Sequence, residues 1–243
     1  MLNYNICGNP NGELLVFING AGLSTWMWYK QLEFFKDYKI ITFDLTGHGA
    51  NCSQEFSTIK DLANDISKII VAEGKNALLV GHSIGAQATL EMLRSYPHLI
   101  NKAVVVSALN KDMGFKKTTL KMISLSYPLI KSKLFSKLQF NQLKLPQILF
   151  EKYFDNTLTI SKSSLLNLTK DNMDFCFSQE TDKANKLIYG EKEIKAMRDS
   201  AEILSKLFDT EVTYLKGGHG VPYVDESFNT IVKSFFEGGT HND

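Results

Sequence analysis

Two kinds of apolar pattern alternate along this chain. Short, nearly unbroken apolar runs cover Leu14 to Asn19, Tyr38 to Asp44, Ala77 to Gly81, Lys102 to Ser107 and Lys186 to Tyr189. They lack strict apolar–polar alternation, as central parallel strands covered on both faces require. Tyr4 to Cys7 and Glu211 to Leu215 add a strand at either end of the series. Between the runs, apolar residues recur every three to four positions. That period predicts helices over Trp28 to Phe35, Ile59 to Glu73, Ala86 to Ser95, Ile194 to Phe208 and Glu226 to Glu237. Asn9-Pro10-Asn11-Gly12 reads as a turn joining the first two strands. The order predicts an α/β fold: a doubly wound, mostly parallel sheet with its ligand crevice at the carboxyl ends of the strands.

One region breaks the alternation. From 110 to 182 there is no clear strand, and helical spacing links Leu120, Ile123, Tyr127, Ile130 and Leu134. About 70 residues of helix between two sheet strands is too long for a plain connection and reads as a lid over the crevice. The expected organisation is a core of residues 1–109 and 183–243 with a helical lid at 110–182. The tail from Gly238 to Asp243 reads as frayed.

Composition narrows the class without naming a chemistry. The 243 residues are 44% hydrophobic and 22% charged, as in an ordinary soluble domain. A net charge of +1 gives no global field for nucleic acid. Met1 to Ile6 lack the basic and long apolar stretches of a signal peptide, and no apolar run reaches the length of a membrane span. Cys7, Cys52 and Cys176 are odd in number and far apart. They fit a reducing cytoplasm and neither a disulfide framework nor a metal site.

The chemistry concentrates at Gly81-His82-Ser83-Ile84-Gly85. An apolar strand, Ala77 to Val80, precedes it, and a helical pattern with an apolar face at Ala86, Leu90 and Leu93 follows. Gly-x-Ser-x-Gly in that setting is a nucleophile elbow: a turn so tight that Cβ atoms at the flanking positions would clash, and which thrusts the serine hydroxyl into the crevice. A serine needs a base, the base needs an orienting acid, and the oxyanion needs fixed donors. Asn19-Gly20-Ala21-Gly22, directly after a strand, supplies small residues where a backbone N–H can face substrate. The two donors are assigned to the Ala21 and Ile84 amides. Among five histidines, His219 follows a strand inside Lys216-Gly217-Gly218-His219-Gly220 and is the candidate base. His48 follows another strand, and His82 adjoins the nucleophile on the elbow, where neighbouring side chains point apart. His98 follows a proline at a helix end, and His241 lies in the tail. The acid should follow the strand Leu187-Ile188-Tyr189. Glu193 in Gly190-Glu191-Lys192-Glu193 occupies that place, with Asp174 and Asp225 as alternatives.

Together these segments resemble the α/β-hydrolase family over nearly the whole chain. Asn19 to Gly22 is similar to the family's oxyanion loop, and Asp44-Leu45-Thr46-Gly47-His48-Gly49 to its Asp-Leu-Pro-Gly-His-Gly stretch. Gly81 to Gly85 matches the elbow, Tyr189 to Glu193 looks like the acid turn, and Gly218-His219 looks like the histidine loop. Three positions depart from the family pattern. Asn19 replaces a usual histidine, Thr46 a proline and Glu193 an aspartate, whose extra methylene extends reach by roughly 1.5 Å. The resemblance implies a serine hydrolase of esterase, lipase-like or thioesterase type, with no metal or organic cofactor. Dehalogenase and epoxide-hydrolase branches use an aspartate nucleophile, so Ser83 argues against both. A carbon–carbon bond hydrolase, an acyltransferase or a non-catalytic ligand-binding homologue are the competing readings.

The expected partner is a small-molecule ester. Phe140, Phe150, Tyr153 and Phe154 predict an apolar roof. Lysines 116, 117, 121, 131, 133, 137 and 144 lie in a stretch without acidic residues. Their reading is a lid with its apolar face on the pocket and its lysines in water. Weak contact with a membrane surface is the second reading.

Overall fold

A computed structural model of the chain describes residues 1–238. Of the tail expected to fray, residues 239–243, His241 included, lie outside the described residues. Among the described residues, seven strands form one sheet: β1 (Tyr4–Gly8), β2 (Leu14–Ile18), β3 (Lys39–Phe43), β4 (Ala77–His82), β5 (Ile100–Val106), β6 (Ala184–Gly190) and β7 (Val212–Leu215). Their order is β1-β3-β2-β4-β5-β6-β7. Only the β1–β3 pair is antiparallel, and β2 to β7 run parallel. The chain reverses direction across the sheet at β2 and β4, which pair side by side.

Ten helices accompany the sheet among the described residues: α1 (Tyr29–Phe34), α2 (Ile59–Glu73), α3 (Ile84–Ser95), α4 (Lys116–Ile130), α5 (Lys133–Gln142), α6 (Phe150–Thr159), α7 (Lys162–Asp174), α8 (Lys195–Phe208), α9 (Val221–Val224) and α10 (Phe228–Phe236). Strand side chains alternate between two cores. Leu14, Val16 and Ile18 belong to a core that also holds Leu62 and Ile66 of α2, Leu90 of α3 and Leu204 of α8. Leu15 and Phe17 face the other way, toward Trp28, Phe228 and Val232. Covering both faces explains why β2 and β4 are buried at every position and why their sequences do not alternate.

Three elements depart from their predicted extents. The helix expected over Trp28 to Phe35 begins as a 3-10 turn, Thr25–Trp28, before α1. The short α9, with Pro222 in its first turn, precedes α10. Asp225 separates the two, its carboxylate accepting from the Lys216 and Ser227 amides. The periodicity drawn from Leu120 to Leu134 runs across a break at Lys131-Ser132, where α4 ends and α5 begins. The break resets the helical phase, so Ile123 and Ile130 face inward while Leu134 is exposed. Helices α4 to α7 all lie between β5 and β6.

Candidate active site

Ser83 sits between the last residue of β4 and the first of α3 at φ 58°, ψ −118°. This is a sparsely populated backbone state for a residue with a Cβ, held only because its surroundings leave no alternative. Those surroundings are set by the two glycines. A Cβ on Gly81 would lie 2.2 Å from the Gly85 carbonyl oxygen, and one on Gly85 would lie 2.3 Å from the Ile18 carbonyl oxygen. Close approach of strand and helix forces the turn, and the turn presents the hydroxyl at the carboxyl edge of the sheet.

The loop after β7 brings His219 to that hydroxyl. His219 Nε2 lies 2.9 Å from Ser83 Oγ, and its Nδ1 lies 3.0 Å from Glu193 Oε1. A carboxylate can only accept, so Nδ1 carries the proton and Nε2 is left to accept from the serine. Glu193 is 4% exposed and follows β6 by a turn in which its own amide donates to the Gly190 carbonyl. Its longer side chain still meets the imidazole. Neither alternative acid does: Asp174 pairs with Lys116, and Asp225 stabilises the turn ahead of α10.

The loop after β2 forms a β-turn closed by the Leu23 amide on the Gly20 carbonyl at 3.3 Å, with Gly22 at φ 71°. A positive φ at the third turn position calls for glycine. Neighbouring peptides are tied down. Gly22 N–H donates to His48 Nε2 at 3.2 Å, while its carbonyl accepts from Asn156 Nδ2 of α6 at 3.1 Å. The Ala21 amide donates to no protein acceptor among the described residues. The Ile84 amide, first in α3, also lacks one, as helix geometry dictates at that position. Ala21, Ser83 and His219 line one cavity of about 120 Å³. A second cavity of about 280 Å³ shares Ala21, Gly22 and Tyr153 with it. Ile123, Ile130, Phe135 and Leu165 of the inserted helices, with Ile160 between α6 and α7, give it an apolar wall.

The contacts of three site residues are written in no motif. His82 does not turn away as its place on the elbow implied. Its ring centroid lies 4.9 Å from that of His219, and its Nε2 donates to the His219 carbonyl at 2.6 Å. Burial lowers its pKa to about 3, so it stays neutral. His48 is likewise buried and pushed below the ordinary imidazole value by desolvation. Its Nδ1 donates to the Thr46 carbonyl at 3.0 Å. Asn156 ties the insertion to the Gly20–Leu23 turn. The substituted Asn19 has a structural post, donating to the Phe43 carbonyl and accepting from Trp28 Nε1, both at 2.8 Å.

Among the described residues, no three His, Cys, Asp or Glu side chains cluster to hold a metal ion. No described helix is long and apolar enough to cross a membrane. The sequence profile described as "Alpha/beta hydrolase family" matches residues 15–227. The chain belongs to the alpha/beta hydrolase family. This α/β-hydrolase is 33% identical over 100 residues to Protein ABHD8 of Mus musculus, covering 39% of this chain and 23% of that protein. It is 30% identical over 110 residues to methyl jasmonate esterase 1 of Vitis vinifera, covering 43% of this chain and 42% of that one. The matched segment thus spans less than half the length of either relative. The enol-lactonase from Burkholderia xenovorans LB400 superposes with a TM-score of 0.83 at 14% identity, covering 97% of this chain and 96% of that one. At that identity the likeness establishes the fold alone.

Proposed function

We propose that this α/β-hydrolase cleaves a carboxylic ester or thioester of a small or medium apolar acyl group through an acyl-enzyme on Ser83. The observation that carries the reading is the unbroken relay from Ser83 Oγ through His219 to Glu193, at 2.9 and 3.0 Å. Ser83 attacks the acyl carbon while its proton passes to His219 Nε2. Glu193 holds the imidazole in the required tautomer and stabilises the imidazolium. The Ala21 and Ile84 amides receive the oxyanion. His219 returns the proton to the leaving alcohol or thiol, and water, activated by the same imidazole, releases the acid. The esterase name of one relative supports the same class of bond.

Cavity size and lining support the acyl class. The space at Ser83 and the adjoining apolar space, about 120 and 280 Å³, each lie below the ~300–1,000 Å³ usual for drug-sized ligands. Helices α4 to α7 supply most of the second cavity's wall, which favours a lid role for the insertion. The three free cysteines are all exposed, which favours a reducing, cytoplasmic setting.

The test is labelling by a fluorophosphonate probe together with turnover of short and medium p-nitrophenyl esters. Wild-type protein should label at Ser83 alone. Ser83→Ala should not label and should lose roughly 10⁴- to 10⁶-fold in turnover with ester binding largely retained. An unlabelled wild-type protein, or a Ser83→Ala variant of full turnover, ends the reading.

A further inference from the structure

The inserted helices carry a second apolar face that the cavity does not use. Ile123, Ile130 and Phe135 line the cavity, but Met122, Leu125 and Leu129 recur at helical spacing on a separate, solvent-facing stripe of α4. On α5, Leu134 and Leu138 stand one turn apart and face solvent. Phe115, at the start of α4, is 87% exposed. All six are more than half exposed. A helix that only roofed a pocket would turn polar residues outward. Here Lys117 and Lys121 occupy the outward side only in the first half of α4, and Met122, Leu125, Pro128 and Leu129 hold the rest. An apolar patch of this kind on a globular protein marks a contact surface.

Charge identifies the contact. Residues 113–150 contain seven lysines and no arginine, aspartate or glutamate. Removing those seven charges from the chain's net +1 leaves −6 on all other residues. The chain's excess of positive charge is therefore concentrated in this one segment, where Lys116 pairs with Asp112 and Asp174, Lys133 pairs with Glu151, and Lys117, Lys121 and Lys137 make no ion pair among the described residues. Lys117, Lys121, Lys133 and Lys137 are exposed beside the leucines, which puts cations at the border of the apolar stripe. A second copy docked here by two-fold symmetry would set lysines against lysines. A surface that offers hydrocarbon beneath a layer of phosphates accepts both features at once.

We propose that the outer face of α4 and α5 docks on an anionic lipid bilayer, its leucines below the headgroups and its lysines among the phosphates. The proposal does not depend on catalysis, and its test needs none. The full chain is sedimented with vesicles of phosphatidylcholine, alone or mixed with phosphatidylglycerol, at low and high salt. It should pellet with the mixed vesicles, stay free of pure phosphatidylcholine, and detach as salt screens the surface. Lys117→Gln, Lys121→Gln and Lys137→Gln combined should weaken binding roughly fivefold per lysine. Leu125→Ser with Leu134→Ser should weaken it at unchanged charge. Both variants should keep the wild-type circular dichroism and unfolding midpoint, because none of these side chains enters a core. Absence of binding to the mixed vesicles at low salt overturns the proposal. So does undiminished binding by the folded lysine variant. A stable dimer in solution that the leucine variant dissociates would assign the face to a second copy and overturn it as well.

Discussion

His82 donates its Nε2–H to the backbone carbonyl of His219 at 2.6 Å. One strand therefore fixes both partners of the Ser83–His219 contact. β4 places the hydroxyl through the backbone that follows it, and places the imidazole through the side chain of its last residue. With a pKa near 3, His82 brings no charge against His219, and its Nε2 remains the donor. His82→Phe should lower kcat by roughly 10²-fold, the cost of about 1 Å of misplacement, with KM little changed. His82→Gln, which keeps a donor, should recover most of the loss. A Phe variant with wild-type kcat on an ester substrate would remove His82 from this positioning role.

Glu193 meets His219 from a buried turn rather than from solvent. Glu193→Gln preserves volume but removes the carboxylate that accepts from His219 Nδ1 and that, in the proposed mechanism, stabilises the imidazolium. Its kcat should fall by about 10⁴-fold. Glu193→Asp keeps the charge but withdraws it by roughly 1.5 Å, and should fall by about 10²-fold. Steady-state rates on a p-nitrophenyl ester distinguish these outcomes. Equal, small losses in both variants would show that another carboxylate orients the base.

Why the sheet and the serine–histidine–glutamate line were legible, while their supports were not, follows from the range of the signals. β2 and β4 announce themselves because every one of their positions is buried, so burial writes an unbroken apolar run. Ser83 announces itself because a strained turn tolerates only glycine at both flanks. Glu193 and His219 follow adjacent parallel strands, so topology aims both at one edge. His82 and His48 fall inside recognisable stretches and Asn156 in none, but no local mark names what any of them holds. Their partners lie 137, 26 and 134 residues away along the chain. Only the folded topology makes those pairs neighbours. The outward leucines of α4 and α5 were obscured for another reason. Apolar residues occupy both sides of these helices, and a single helical period assigns them all to one.

Asn156 links the inserted helices to the turn that presents the Ala21 amide. Its Nδ2 donates to the Gly22 carbonyl, and nearby Thr159 Oγ1 accepts from the Gly49 amide at 2.9 Å. Asn156→Asp replaces the donor with an acceptor against a carbonyl oxygen and should disturb the turn. The expected loss is about 10-fold or more in kcat, the size of one misplaced buried hydrogen bond. Thr159→Val removes the neighbouring tie without touching the turn, and should lower the unfolding midpoint while leaving kcat near wild type. Reversal of that pattern would mean that Gly22 is held by other contacts.

Two buried neutral histidines make stability sensitive to acid. His48 accepts from Gly22 at Nε2 and donates to Thr46 at Nδ1, and His82 donates to His219. Burial lowers both pKa values from 6.5, that of His82 to about 3. In the unfolded chain both rings take up protons near 6.5, while in the fold they refuse them until lower pH. Below 6.5 the unfolded state therefore binds more protons, and acidification favours it. The stabilisation is fully present above 6.5 and drains as pH falls, for His82 down to about 3. Each ring contributes a slope of at most ~1.4 kcal/mol per pH unit. Urea midpoints should thus drop between pH 7 and pH 5, a window above the ordinary carboxylate range. His82→Gln removes one titrating ring, so its midpoint should drop less steeply over the same window. A wild-type midpoint flat from pH 7 to 5 would show that both rings take up protons in the fold as readily as in the unfolded chain, and an unchanged slope in His82→Gln would show it for His82.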